Sequence, residues 1–236
     1  MINKKILASL TTITPGLWRK KAEEINELGL EEIALFLTGL NVGARKELYG
    51  ILEKTKLKNI PHVHLRDDMD VWELEYLESR FNAAVFNIHG KNSAHPFDLL
   101  KLKKYLPKIY IENQDYVPDR EELKKTAGFC VDFSHWQDGI MLKRKNYDAN
   151  MRQAIKNFSV GCSHISAVGK KVIENRDVVF NEIVYRDYSK HIFDNLEEFD
   201  YIANFLDFLP DLISLELENS LAEQLKAKKY LEKIIL

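Results

Sequence analysis

The chain has 236 residues, 45% of them hydrophobic, and a formal net charge of -2, which suits one α/β barrel domain with a large core. So small a net charge sets up no global field toward nucleic acid or a membrane surface. Two cysteines, Cys130 and Cys162, are too few for a disulfide framework and fit a reducing compartment, and no apolar run approaches the roughly 20 residues that span a bilayer.

Met1-Ile2-Asn3-Lys4-Lys5 leads into an apolar stretch, Ile6 to Leu10, that Thr11, Thr12 and Thr14 break at once. That stretch is too short for the apolar region of a signal peptide and reads as the first strand of a cytoplasmic protein. From there, short runs rich in β-branched residues alternate with segments of helical period. The strands expected are Lys5–Thr11, Glu32–Thr38, Ile60–Leu65, Ala84–His89, Lys108–Glu112, Phe129–Phe133, Ser159–His164 and Leu212–Glu218. Between them, Leu17-Trp18, Ala22, Ile25 and Leu28 keep helical spacing up to Gly29, a C-cap signal. A second helix runs from near Lys145 to Phe158, a third from Leu196 to Leu206 ahead of Pro210, and a last one from Leu221 to Ile234. Strand–helix alternation implies βαβ units and a parallel sheet. Eight units without a linker or low-complexity tract predict a single domain over 1–236, a (βα)8 TIM barrel. The longest non-periodic stretch, Ala167 to Tyr188, reads equally as a lid over a site or as a surface excursion. Trp18 and Trp72, on outer helices, would serve packing or an interface between copies.

The polar residues inside the strands carry the chemistry. Side chains alternate faces along a strand, and one face of every barrel strand points inward. His62, His64 and Arg66 share a face in the third strand, Asn87 and His89 in the fourth, Tyr110 and Glu112 in the fifth. Asp132 opposes the apolar set of the sixth, with His135 just beyond it. His164 ends the seventh, and Glu216 and Glu218 oppose three aliphatics in the eighth. A lone inward histidine is more often a hydrogen-bonded core residue, and a lone glutamate is often half of an ion pair. Six successive strands each placing His, Asp or Glu at the C-terminal end, where barrels build their active sites, point instead to a divalent cation, which resolves the cost of converging buried carboxylates. Cys130 and Cys162 read as packing residues. His95, before Pro96, reads as a surface or capping residue.

With Asn87-Ile88-His89-Gly90, Ile111-Glu112-Asn113, Val131-Asp132-Phe133-Ser134-His135, Cys162-Ser163-His164-Ile165-Ser166, Asp187-Tyr188-Ser189-Lys190-His191 and Leu215-Glu216-Leu217-Glu218 in this order, the chain resembles the xylose-isomerase-like barrel superfamily. That superfamily holds sugar isomerases, sugar epimerases and apurinic-site endonucleases. The resemblance implies a metal held by Glu112, Asp132, His164 and Glu216, with Glu218 an alternative to Glu216, which lies deeper in its strand. It implies that Glu112 and Glu216 are catalytic and that His135 orients substrate or joins a second metal. His62, His64, His89, Asp187 and His191 are candidates for the further ligands of the endonuclease branch. Where that branch has Asp-x-His, this chain has Asp187-x-x-x-His191.

The function this implies is a sugar or sugar-phosphate isomerase or epimerase using manganese, magnesium, cobalt or zinc, acting by proton transfer through a metal-bound enediolate. Its partner would be a small carbohydrate rather than nucleic acid or membrane. The alternative is a zinc-dependent phosphodiesterase of the endonuclease type. A third reading, a barrel that binds a metabolite without turnover, has no use for so many buried titratable groups. Against the phosphodiesterase stands the basic pattern: the densest runs, Lys101-Leu102-Lys103-Lys104 and Lys143-Arg144-Lys145, fall on helical or pre-helical segments and read as solvated faces rather than a groove for a duplex.

Overall fold

The computed structural model describes residues 4–93, 96, 98–176 and 183–235. Its core is a parallel sheet of nine strands: β1 (Lys5–Leu7), β2 (Ser9–Thr11), β3 (Ala34–Phe36), β4 (His62–His64), β5 (Val85–His89), β6 (Ile109–Glu112), β7 (Gly128–Asp132), β8 (Val160–Ile165) and β11 (Leu212–Leu215). β1 pairs with β11, with Ile6 opposite Ile213. β2 pairs with β3, with Leu10 opposite Leu35. These two short strands are separated only by Ala8, so the expected run Lys5–Thr11 closes the sheet on itself. The fold is a TIM barrel, as the strand–helix alternation predicted; most strands are shorter than expected at their ends, β7 and β8 keep their length but shift by one residue, and β11 stops before Glu216.

The helices follow from their buried stripes. In α1 (Leu17–Glu27), Trp18, Ala22 and Ile25 are buried; in α2 (Val42–Leu52), Leu48 and Leu52; in α3 (Val71–Phe81), Leu74, Leu77 and Phe81. Each set sits on one face of a 3.6-residue helix. Gly29 ends α1 as expected, with φ +65°: its N–H donates to the Asn26 carbonyl and that of Leu30 to the Ile25 carbonyl, a Schellman closure. Trp18 is buried and so belongs to packing, whereas Trp72 stays 40% exposed with the Lys46 ammonium over its ring. α4 (Arg120–Lys125), α5 (Phe133–Met141), α6 (Tyr147–Asn157) and α7 (Leu221–Ile235) complete the helices. Among the described residues no helix is long and apolar enough to cross a membrane.

Two expectations need correction. The stretch after Leu196 is a 3-10 helix, Leu196–Asn204, because over nine residues an apolar spacing of three to four does not separate the two helix types. The Ala167–Tyr188 stretch is not irregular: β9 (Ala167–Arg176) and β10 (Ile183–Lys190) form an antiparallel hairpin apart from the barrel sheet. Much of it is exposed, including Val172, Ile173, Val184 and Tyr185, so no alternation of apolar and polar residues marks it as strand. His95 lies outside the described residues.

Candidate active site

Register brings the polar residues together. His64 is level with Asn87 on the next strand, His89 with Glu112, and Asp132 with His164, so the C-terminal ends of β4 to β8 present one ring of side chains. Glu216 follows β11 directly, its N–H donating to the Ile165 carbonyl at 3.0 Å. One ligand atom each of Glu112, Asp132, His164 and Glu216 lies within 4.8 Å of all the others, and all four residues are buried. His164 Nδ1 stands 3.4 Å from Glu112 Oε2, 3.5 Å from Glu216 Oε2 and 3.8 Å from Asp132 Oδ2. Neither ring nitrogen of His164 has a hydrogen-bond partner among the described residues.

Two of the three carboxylates are anchored by hydrogen bonds. Asp132 ends β7 and caps α5: its Oδ1 accepts from the His135 N–H at 2.8 Å and the Ser134 hydroxyl at 2.5 Å, leaving Oδ2 to face His164. The Asp-x-x-His spacing is therefore that of an N-cap and the third helical residue. Glu112 Oε2 accepts from Asn87 Nδ2 at 2.6 Å. Since that amide donates there, Asn87 Oδ1 accepts from His62 Nε2 at 3.0 Å, and His62 Nδ1 is paired with the Ser214 hydroxyl at 2.7 Å. His62 is thus fixed at both nitrogens beneath the ring, close to the fully buried Cys130 and Cys162. Glu218 is turned away: its two oxygens accept from the Thr14 N–H and hydroxyl, both at 2.6 Å.

A second group adjoins the first. His64 Nδ1 donates to the Leu65 carbonyl at 2.8 Å, so its Nε2, 3.0 Å from Glu112 Oε2 and 3.2 Å from His89 Nε2, would aim a lone pair at a carboxylate unless a proton or a cation intervenes. A third joins His135, Asp138 and Asp187. The sequence reading passed over Asp138, although Asp132, His135 and Asp138 recur at three-residue intervals along one helix face. Its carboxylate accepts from the Tyr188 N–H, the Ser189 N–H and the Ser189 hydroxyl, which ties the hairpin to α5. His191 directs Nδ1 to the Glu216 carbonyl at 3.1 Å.

Protonation follows the crowding. Burial pushes the Glu112 carboxyl up, but the His164 and His64 imidazoles outweigh this and hold it well below its ordinary range. Burial likewise opposes, and His164 reverses, the shift of Glu216, which falls to about 2. Asp132 goes up, by burial and by Glu112 and Glu216, despite His135. His164 is raised well above its usual value by Glu112 and Glu216 against the effect of burial. His135 is raised to about 10, Asp132 and Asp138 overriding burial, while burial takes His89 down to about 4. Three clustered carboxylates demand positive charge, and the imidazoles are drawn into supplying it. A cavity of about 260 Å³ opens above this ring, lined among others by Gly39, Gln114, His135, His191 and Glu216. Gly39 is required there, since a Cβ would fall 1.8 Å from the Thr12 carbonyl oxygen. A second cavity of about 670 Å³ shares Gln114, His135 and His191 with it and is walled by the hairpin. Arg144, which the sequence placed in a solvated basic run, is half-buried and lines this outer cavity.

No protein-family model matches the chain, and no curated protein matches it in sequence. Among solved structures it is similar to the IolI protein with a binding zinc atom, at 12% identity over 97% of this chain and 98% of that one, with a TM-score of 0.52. A xylose isomerase domain containing protein from Salmonella typhimurium LT2 aligns at 14% identity over 100% of this chain and 98% of that one, with a TM-score of 0.44. The first likeness is one of fold, which does not by itself carry a reaction.

Proposed function

We propose that the chain is a divalent-metal-dependent isomerase or epimerase of a small carbohydrate, with the metal held by Glu112, Asp132, His164 and Glu216. One observation carries this reading: a fully buried imidazole nitrogen without a hydrogen bond faces three buried carboxylates at 3.4 to 3.8 Å. Buried polar atoms are rarely left so, and a two- or three-oxygen, one-nitrogen donor set suits manganese, magnesium, cobalt or zinc. The zinc in the IolI structure agrees with that choice. When bound, such an ion would polarise a substrate carbonyl as a Lewis acid.

The chain's own residues would do the rest. Glu112 and Glu216, on β6 and just after β11, flank the same point, so that one takes the proton from the carbon beside the carbonyl and the other returns it to the adjacent carbon or opposite face. Asn87, braced by His62, keeps Glu112 from rotating away. His135 and His191 line the cavity above and orient substrate hydroxyls. Asp132, with one oxygen spent on its helix cap, holds position.

A second reading, a zinc-dependent phosphodiesterase, is favoured by His64: its Nδ1–H is donated to a backbone carbonyl, as metal-bound imidazoles usually do, and its Nε2 shares space with His89 and Glu112. Elemental analysis of protein purified without chelator separates the two. About one ion per chain supports the isomerase; two or three zinc ions per chain support the phosphodiesterase. No metal, even after reconstitution, defeats both. Given one ion, incorporation of solvent deuterium into a panel of aldoses and ketoses should occur and should stop in Glu112→Gln.

A further inference from the structure

We infer that the outer cavity is built to hold an anionic group of the substrate, a phosphate or a carboxylate, on the guanidinium of Arg144. The two cavities communicate through Gln114, His135 and His191. Their combined space exceeds what a free small sugar needs, so a substrate that places its reacting end against Glu112 and Glu216 has room to extend outward. What it meets there is Arg144. Its side chain is 22% exposed, and its ion pair with Asp187, Oδ1 to Nη2 at 3.7 Å, is too long for a hydrogen bond; the more buried Nη1 has no hydrogen-bond partner among the described residues.

The backbone around Arg144 supports a presenting role. Arg144 lies in the short turn between α5 and α6, and it is bracketed by Lys143 at φ +55° and Asn146 at φ +59°. A lysine in the left-handed region is uncommon and costs backbone energy. At Lys143 the conformation belongs to a Schellman closure of α5, with the Lys143 N–H donating to the Ile140 carbonyl at 3.1 Å. The turn is held by the Arg144 N–H donating to the Gly139 carbonyl and the Tyr147 N–H to the Arg144 carbonyl, so the side chain leaves from a fixed point. A planar guanidinium with free donors at a partly buried site matches the fork of a carboxylate or phosphate. Neutral hydroxyls would leave its charge unmet.

The anion site stands on Arg144 alone, while calling its ligand a sugar rests on the isomerase reading. Inorganic phosphate titrated calorimetrically into the metal-free full chain tests the first part. Binding is expected, weakened at least tenfold by Arg144→Gln, partly kept by Arg144→Lys, and tightened by Asp187→Asn, which removes the competing carboxylate. Equal phosphate affinity in wild type and Arg144→Gln, or no phosphate binding at all, overturns the inference. In metal-loaded protein, ribose 5-phosphate and glucuronate should each bind at least tenfold more tightly than ribose, and Arg144→Gln should erase the difference; the tighter of the two identifies phosphate or carboxylate. If ribose binds as well as both, the anion inference falls and the isomerase reading stands. If no sugar binds while phosphate binding still depends on Arg144, the anion site stands and the isomerase reading falls.

Discussion

His62 and His164 lie inside the same barrel with ring centroids 5.3 Å apart, yet they live under different rules. Both nitrogens of His62 are bonded, to Ser214 and Asn87; neither nitrogen of His164 is. The same contrast separates two arginines. Arg45 is fully buried with its donors on both oxygens of Glu73, on Asp68 and on the Leu40 carbonyl, all within 2.8 Å, whereas Arg144 has a buried nitrogen with no partner. Residue type does not distinguish the members of either pair, and burial does not distinguish the two histidines. Completeness does: the polar atoms of His62 and Arg45 named above are partnered within the fold, whereas His164 and Arg144 keep buried nitrogens without a partner among the described residues.

The sharpest way to break this comparison is to attack a complete cluster. Glu73→Gln leaves the Arg45 guanidinium without its bidentate carboxylate and turns one of the two oxygens that accept from Arg45 and Tyr49 into an amide donor. A loss of about 3–5 kcal/mol in denaturant unfolding is expected, with metal uptake unchanged; a loss below 1 kcal/mol would mean that closure is not what holds this region. The incomplete cluster should respond in the opposite way. Asp132 is the carboxylate that burial, Glu112 and Glu216 push up, and an asparagine there can still cap α5. In Asp132→Asn, metal-free protein should therefore be as stable as wild type or more so, while metal affinity falls at least 100-fold, since even outer partners of metal ligands cost about 10–100-fold. Wild type should gain about 2.7 kcal/mol at metal concentrations 100 times its Kd, and the variant should gain nothing measurable at the same concentration. If Asp132→Asn instead destabilises the metal-free protein, the carboxylate ring is structural.

A smaller effect is expected beneath the site. His62→Phe keeps the ring volume but strands the Asn87 carbonyl oxygen and the Ser214 hydroxyl, at about 1–3 kcal/mol in the same unfolding assay. Because Asn87 can still donate to Glu112, metal affinity should change less than in Asp132→Asn.

Much of this was legible in the sequence, for a physical reason. A parallel strand buried on both faces is a near-continuous apolar run, so a polar residue within one stands out, and its position fixes both the face and the end of the barrel it reaches. That marked Glu112, Asp132, His164 and Glu216 as inward residues along with His62, His64, His89 and Glu218; the choice of those four as a ligand set came from the resemblance. What could not be read was completeness. Nothing in the spacing shows that Glu218 is occupied by Thr14, that His62 is closed by Asn87 and Ser214, or that Arg144 turns inward while its neighbours Lys143 and Lys145 stay exposed. Those facts depend on residues distant in the chain. The hairpin escaped for the converse reason: with little of it buried, no hydrophobic pattern was imposed on it.

Lys21 offers an intermediate case that sharpens the distinction. It is a buried ammonium on α1 whose Nζ donates to the Leu217 carbonyl at 2.7 Å, a single acceptor for three donors. Burial lowers its pKa to about 8, against the pull of Glu218 and Glu24. In the unfolded chain the same group titrates near its ordinary value of 10.5. Between these two values the unfolded state binds more protons, so stability should rise with pH from about 8 to about 10.5 and be flat with respect to this group on either side. Other groups titrate in the same window, so the quantity to measure is the difference between wild type and Lys21→Met across it. The variant should be the more stable at pH 7, because it removes a buried charge while the Leu217 carbonyl keeps its bond from Gln224, and its advantage should shrink toward pH 10.5. An advantage independent of pH would show that the ammonium is in fact satisfied where it lies, and partial closure would then suffice to hold a charge in this fold.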